Sequence, residues 1–150
     1  MRSFYIIGLD PSGPTISDRY SSEVLSKSRG KLRGSLDWLA GNGAIDASDI
    51  AVFDELRTTR NQLVHELQSF VLGTRQPPHV AKFHKLVSLY RKIEVWWVVN
   101  VDIPTNPDFD GQDVSPDEVI PGSLLVLQIM TDVASGKREL LDKYRVLSKK

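Results

Sequence analysis

The tightest constraint on the fold is the segment between Ser48 and Gly73, where apolar residues recur with the period of an α-helix. On a wheel turning about 100° per residue from Ile50, Val52 and Phe70 fall at about 200°, Leu63 at about 220°, Leu56 at about 240° and Leu67 at about 260°. Phe53 and Val71 follow at about 300°, and Val64 at about 320°. Glu55, Thr58, Thr59, Gln62, Glu66 and Ser69 take the opposite arc. A side chain such as Ser48 accepts the first free N–H groups of a helix, and Gly73 suits its end. An amphipathic helix over about 49–72 is expected, with the apolar arc against a core.

Three further helical segments flank it. Leu25, Leu32, Leu36 and Leu39 form one stripe over about 15–40, interrupted by Gly30 and Gly34, and Gly41-Asn42-Gly43 supplies a stop. Each glycine weakens a helix interior by about 1 kcal/mol relative to alanine, so this helix depends on packing. Pro77-Pro78 opens a third helix, with Val80, Phe83, Val87, Tyr90 and Trp97 on its buried side. Its signal fades near Val101. A last helix follows Gly122, with Leu125, Ile129, Val133, Leu140, Leu141, Tyr144 and Leu147 as its apolar set, a bend at Gly136 and the basic end Lys149-Lys150. The sum is an all-α chain, most simply an antiparallel up-down four-helix bundle forming a single domain over 1–150. Residues 1–14 form a short extended N-terminus ending in the turn sequence Asp10-Pro11-Ser12-Gly13-Pro14.

Residues 102–121 interrupt the helical pattern with four prolines and six acidic side chains (Asp102, Asp108, Asp110, Asp113, Asp117, Glu118). They read as an exposed acidic loop, a solubilising linker rather than a lid, and lack the spacing of a calcium-binding loop. The nineteen basic and nineteen acidic residues cancel overall, so no global field marks a nucleic-acid or membrane partner. The balance is local: residues 51–100 hold seven basic and four acidic side chains, which places an anion site in the middle third. With no cysteine, disulfide frameworks, thiolate metal sites and thiol catalysis are excluded. Three histidines without metal-ligand spacing (His65, His79, His84) point to no metal site, and no cofactor motif is present. No apolar run is long enough for a signal-peptide core or a membrane span, so a soluble cytoplasmic protein is expected.

One residue breaks the pattern of the second helix. Arg60 falls at about 280°, in the middle of the apolar arc. A buried guanidinium without a partner costs several kcal/mol, so either a carboxylate such as Asp37, Glu94 or Asp132 meets it or it serves a function. Beside the arc, Arg57, Asn61 and His65 are spaced four and four, a polar ridge at about 340°, about 20° and about 60°. Arg60 and His65 lie about 140° apart on an ideal helix. They converge only if the helix breaks between them or a second copy packs against the first in a two-fold dimer.

The run Leu56-Arg57-Thr58-Thr59-Arg60-Asn61-Gln62-Leu63-Val64-His65-Glu66 resembles the signature of HEPN domains, a helical nucleotide-binding family of prokaryotes and eukaryotes. That pattern is an arginine, a polar residue beside it, and a histidine further along the helix. Here these are Arg60, Asn61 and His65 with four intervening residues, the short end of the family's range. The likeness extends over residues about 20–75, through Leu36-Asp37-Trp38-Leu39 and Gly43-Ala44-Ile45-Asp46, and reaches the rest of the chain only as further helices.

The resemblance implies a bundle of the HEPN type, a homodimer with a composite cleft and, in active members, metal-independent endoribonuclease chemistry. Toxin or defence members would act on RNA in the cytoplasm and have an antitoxin protein as partner. The residue types suit that reaction. A 2′-hydroxyl loses a proton, attacks the adjacent phosphorus and expels a 5′-oxygen that takes up a proton. Histidine side chains suit either transfer near neutral pH. A forked, permanent cation stabilises charge building on the phosphate oxygens. His65 is thus the expected acid/base, Arg60 the stabiliser and Asn61 the orienting group, while Arg57 matches no required position and is expected to contact phosphate.

Blander expectations stand beside these. The Arg57–Asn61–His65 ridge also fits a solvated helix edge, and His79 and His84 read as surface residues. Tyr90, Trp96 and Trp97 fit core or dimer interface better than a base-stacking platform. A non-catalytic dimer that binds a nucleotide, RNA or a protein is the alternative function, favoured by the neutral overall charge.

Overall fold

The computed structural model describes residues 2–73 and 80–137, together with positions 139, 141, 142 and 145. Helices make up most of them, with one small two-stranded sheet, and the class is all-α. The chain divides into two compact units, Met1–Leu89 and Tyr90–Lys150.

The first unit opens with a 3₁₀ turn, Arg2–Tyr5, and a hairpin of strands β1 (Ile6–Asp10) and β2 (Gly13–Ile16). The extended N-terminus is therefore paired with itself. Asp10 closes the turn: its carboxylate accepts from the Ser12 N–H at 2.8 Å, from the Ser12 hydroxyl and from Thr15 Oγ1 at 3.1 Å. These donors, Ser12 first, hold the Asp10 carboxyl below its usual range.

The first helical stripe forms in pieces: α1 (Asp18–Glu23), a 3₁₀ turn Leu25–Lys27, and α2 (Lys31–Gly41). The break has a backbone cause, since Gly30 takes φ +119°, a conformation open to glycine. Leu36 and Leu39 are buried as expected, but Leu32, one residue into the new helix, is 51% exposed. Val24 is fully buried and its carbonyl lies against Gly34.

Around Trp38 an aromatic cluster forms from Phe4, Tyr5 and Tyr20, with Tyr5 5.5 Å from Tyr20 and 6.5 Å from Trp38 between ring centroids. The buried Tyr5 hydroxyl donates to Glu23 Oε2 at 2.8 Å. Burial and this carboxylate push its pKa up to about 12. Arg19 Nε on the same carboxylate at 2.7 Å lowers the Glu23 pKa. Leu36, Leu39, Ala44, Ile45 and Leu89 are the other buried apolar residues described in this unit.

The amphipathic segment forms α3 (Ala47–His65) and, after a turn at Glu66, α4 (Leu67–Val71). Pro77, Pro78 and His79 lie outside the described residues, as do the side chains of Phe70 and Val80. The next helix, α5 (Val80–Trp97), contains the boundary between the units. Its buried position is Leu89, whereas Phe83 is 38% exposed.

Beyond Trp97 the helical path widens into a π-type stretch, Val98–Asp102, in which Ile103 N–H reaches back to Val98 O. It closes as the short helix α6 (Ile103–Thr105), past the fading expected at Val101. Within 102–121, 3₁₀ turns at Pro107–Phe109 and Pro116–Glu118 are separated by exposed chain, and Val119 is buried. In the second unit, Arg91 Nη1 donates to Val119 O at 3.5 Å, and the Ser123 hydroxyl donates to Glu94. Trp96 and Trp97, half-buried, stand 6.0 Å apart with tilted rings.

The last long helix, α7 (Gly122–Ala134), buries Ile129 and ends before the expected bend. Ser135 N–H caps Thr131 O and Asp132 O, and Gly136 then takes φ +83°. Leu140, Tyr144, Leu147, Lys149 and Lys150 lie outside the described residues. Among those described, no helix is long and apolar enough to cross a membrane.

Candidate functional site

The helix that carries the candidate residues starts two residues earlier than Ser48 allows. Asp46 is the cap: its Oδ1 accepts from Ser48 N at 2.8 Å and Asp49 N at 3.1 Å, while Asp49 accepts from Asp46 N at 2.9 Å. This reciprocal box satisfies N–H groups that a lone Ser48 would leave open. From there α3 runs without interruption to His65, and Glu66 N–H bonds Gln62 O at 2.9 Å as it ends.

Continuity of α3 through residues 60–65 settles one alternative. No break intervenes between Arg60 and His65, so within one chain the two side chains leave the helix about 140° apart. Arg60 is exposed, not sunk in a core. Its Nη1 donates to Asn61 Oδ1 at 3.1 Å, and no carboxylate among the described residues pairs with it. The three acids expected as partners are engaged elsewhere: Asp37 with Arg33, Glu94 with Ser123 and Asp132 with Gln128. Since a guanidinium only donates, Asn61 must present its oxygen to Arg60, which turns its NH₂ outward. Arg57 and His65 are exposed, with no polar partner among the described residues.

Arg60 escapes burial because α3 meets α5 through Glu55 and Thr59, while Thr58 and Gln62 of the same polar arc stay exposed. Thr59 is the buried residue of this helix. Its hydroxyl donates to Glu55 O at 2.9 Å and accepts from Lys82 Nζ of α5 at 2.9 Å. Lys85 Nζ meets Glu55 Oε2 at 2.7 Å, and Lys82 Nζ lies 3.8 Å from the same carboxylate. These cations, Lys85 first, lower the Glu55 pKa. Two residues of the arc expected to face solvent, Glu55 and Thr59, are therefore bridged to α5. Of the apolar arc, Phe53, Leu56 and Leu63 are half-buried and line an open groove, while Val64, 55% exposed, Leu67, 60%, and Val71, 77%, lie outside it.

That groove, about 580 Å³, runs between α3 and α5. Phe53, Leu56 and Leu63 form one wall and Phe83 and Leu86 the other. Arg57, Arg60 and Lys82 stand at its rim. A smaller concavity of about 260 Å³ adjoins it and shares Phe53 and Arg57. It is polar, lined by Arg29 just before α2, by Lys31 and Arg33 in its first turn, and by Asp54 and Arg57 of α3. Arg33 is held by Asp54 at 3.2 Å and by Asp37 at 3.6 Å. Arg29 and Lys31 have no acidic partner among the described residues.

Of the residues marked by sequence, α3 brings Arg57, Arg60 and Asn61 to one region and sends His65 away from Arg60. The cations Arg29 and Lys31 were missed. Their signal was the run Arg29-Gly30-Lys31-Leu32-Arg33, three basic residues around a glycine, which an unbroken helix would have scattered. Among the described residues, no three His, Asp or Glu side chains cluster as metal ligands. No family model, curated protein or solved structure matches the chain.

Proposed function

We propose that this chain is a HEPN-like endoribonuclease that acts as a homodimer, its cleft completed by a second copy. The observation that carries the reading is the exposed Arg60–Asn61 pair, a guanidinium fork beside an outward amide with no carboxylate among the described residues neutralising it. Such a pair matches the oxygens of a phosphodiester, which a charge-neutralised arginine does not. Because α3 is unbroken, His65 of one protomer reaches an Arg60 only across a two-fold interface, where like surfaces meet. An up-down four-helix bundle of the HEPN type belongs to the same proposal, as does a cytoplasmic toxin or defence role restrained by an antitoxin.

In the reaction, His65 takes the 2′-hydroxyl proton or supplies one to the leaving 5′-oxygen. The 2′-oxygen bonds to phosphorus as the bond to the 5′-oxygen breaks, leaving a 2′,3′-cyclic phosphate and a 5′-hydroxyl. Arg60 stabilises the charge on the non-bridging oxygens, Asn61 donates to one of them, and Arg57, one turn back on α3, holds a neighbouring phosphate.

Incubation of the full chain with single-stranded RNA in EDTA tests this. Wild type is expected to cleave and His65→Ala to lose about 10²–10⁴-fold in rate, the span of general acid–base catalysis. Equal cleavage by both, or none by either at micromolar protein, removes the proposal. One observation favours a non-catalytic dimer that binds an anionic ligand: His65 has no group among the described residues to orient its ring. In that case His65→Ala leaves RNA binding unchanged while Arg57→Glu weakens it.

A further inference from the structure

We infer that the two adjoining concavities of the first unit form a site for an amphiphilic phosphate monoester, its head among Arg29, Lys31 and Arg57 and its hydrocarbon chain in the groove between α3 and α5. The head site follows from charge. Asp54, the acid that lines this 260 Å³ space, is held by Arg33, which Asp37 also meets, whereas Arg29, Lys31 and Arg57 line the same space and pair with no acid among the described residues. Three like charges around one hollow repel one another, and a bound anion relieves them. A carboxylate would supply one negative charge; a phosphate monoester supplies nearly two and three strong acceptors, which suits three donors better.

The chain site follows from what the groove lacks. Its walls are Phe53, Leu56, Leu63, Phe83 and Leu86. The hydroxyl of Thr59 is already committed to Glu55 O and Lys82 Nζ, and the remaining polar groups, Arg57, Arg60 and Lys82, are cations, which donate and cannot accept. A nucleobase would lose the hydration of its N–H donors there and find nothing to receive them. A hydrocarbon chain has no such groups, and a volume of about 580 Å³ lies within the range of small-molecule sites. Phe53 and Arg57 line both concavities, so head and chain belong to one ligand. This site does not rest on the ribonuclease reading, though Arg57 serves both and Arg60 also lines the groove.

Titration calorimetry of the full chain tests it, with decyl phosphate below its micelle concentration as the probe. Decyl phosphate is expected to bind about tenfold more tightly than octyl phosphate, as two buried methylenes require. Inorganic phosphate and AMP are expected to bind at least tenfold more weakly than decyl phosphate, as is decanol. Arg57→Glu and, independently, the double variant Arg29→Glu/Lys31→Glu should each weaken decyl phosphate at least tenfold. The double variant changes exposed positions and decides the matter should Arg57→Glu fail to fold. Equal affinity for octyl and decyl phosphate, AMP or decanol binding as well as decyl phosphate, or unchanged affinity in the double variant would each overturn the inference. So would a dimer that binds no alkyl phosphate, which would give the groove to a second copy. None of these readouts depends on RNA cleavage, so failure here leaves the ribonuclease proposal standing.

Discussion

Arg60→Ala is expected to slow RNA cleavage by about 10²–10³-fold, the usual loss when one preorganised donor to a developing oxyanion is removed. The fold should not change with it. Arg60 is exposed and its polar partner among the described residues is the Asn61 side chain, so its removal leaves neither a cavity nor a stranded acid there. Arg60→Lys keeps the charge but replaces a planar fork with a point donor, and should recover part of the rate. Single-turnover cleavage measured beside the melting temperature separates the effects. A large fall in rate at constant melting temperature is the expected outcome. A rise in melting temperature for Arg60→Leu with no change in any binding or cleavage would mark Arg60 as a bystander on a helical scaffold.

Gly34→Ala carries the largest expected effect on stability. Propensity alone favours alanine in a helix interior by about 1 kcal/mol. Packing opposes it, because a Cβ at position 34 would run into the carbonyl oxygen of Val24. That oxygen is backbone belonging to a wholly buried residue, so it cannot swing aside as a side chain would. Forcing a methyl group into such a contact costs about 1–3 kcal/mol, and the upper part of that range outweighs the propensity gain. A net loss of about 2 kcal/mol would lower the melting temperature by about 4–8 °C in a chain of this size. A melting temperature raised by the substitution would show that α2 and Val24 do not approach as described.

The glycine shows how far the sequence could be read. It appears there as a weakness in a leucine stripe, since the close approach of a residue ten positions earlier leaves no local trace. The helix over Ala47–His65 was legible because Val52, Phe53, Leu56, Leu63 and Val64 share one arc, and no other regular structure fits them. Its inward face was not legible. A wheel groups residues by direction and does not say which direction another helix covers. Here Lys82 and Lys85 reach from α5 to Glu55 and Thr59 on the polar side. The interruption before α2 was hidden for a similar reason: Leu25 and Leu32 keep helical spacing across Gly30, whose φ of 119° and ψ of 143° leave the helix.

The same limits shape the candidate site. Arg60 was conspicuous because it breaks a period, and Asn61 because it lies beside it. The inference that Arg60 is buried failed with the assumption that an apolar arc must be covered within the chain. Arg29 and Lys31 come within reach of Arg57 only after the chain turns at Gly30, a juxtaposition that depends on tertiary structure.

The claim that Arg60 and His65 work together across two copies is tested most directly by mixing subunits. Arg60→Ala and His65→Ala chains, each nearly inactive alone, are combined at equal concentration under conditions of subunit exchange. Random pairing makes half of the dimers mixed, each with one intact arginine–histidine pair out of two, so activity should return to about a quarter of wild type. A mixture no more active than its parents, with exchange verified, would contradict the composite cleft.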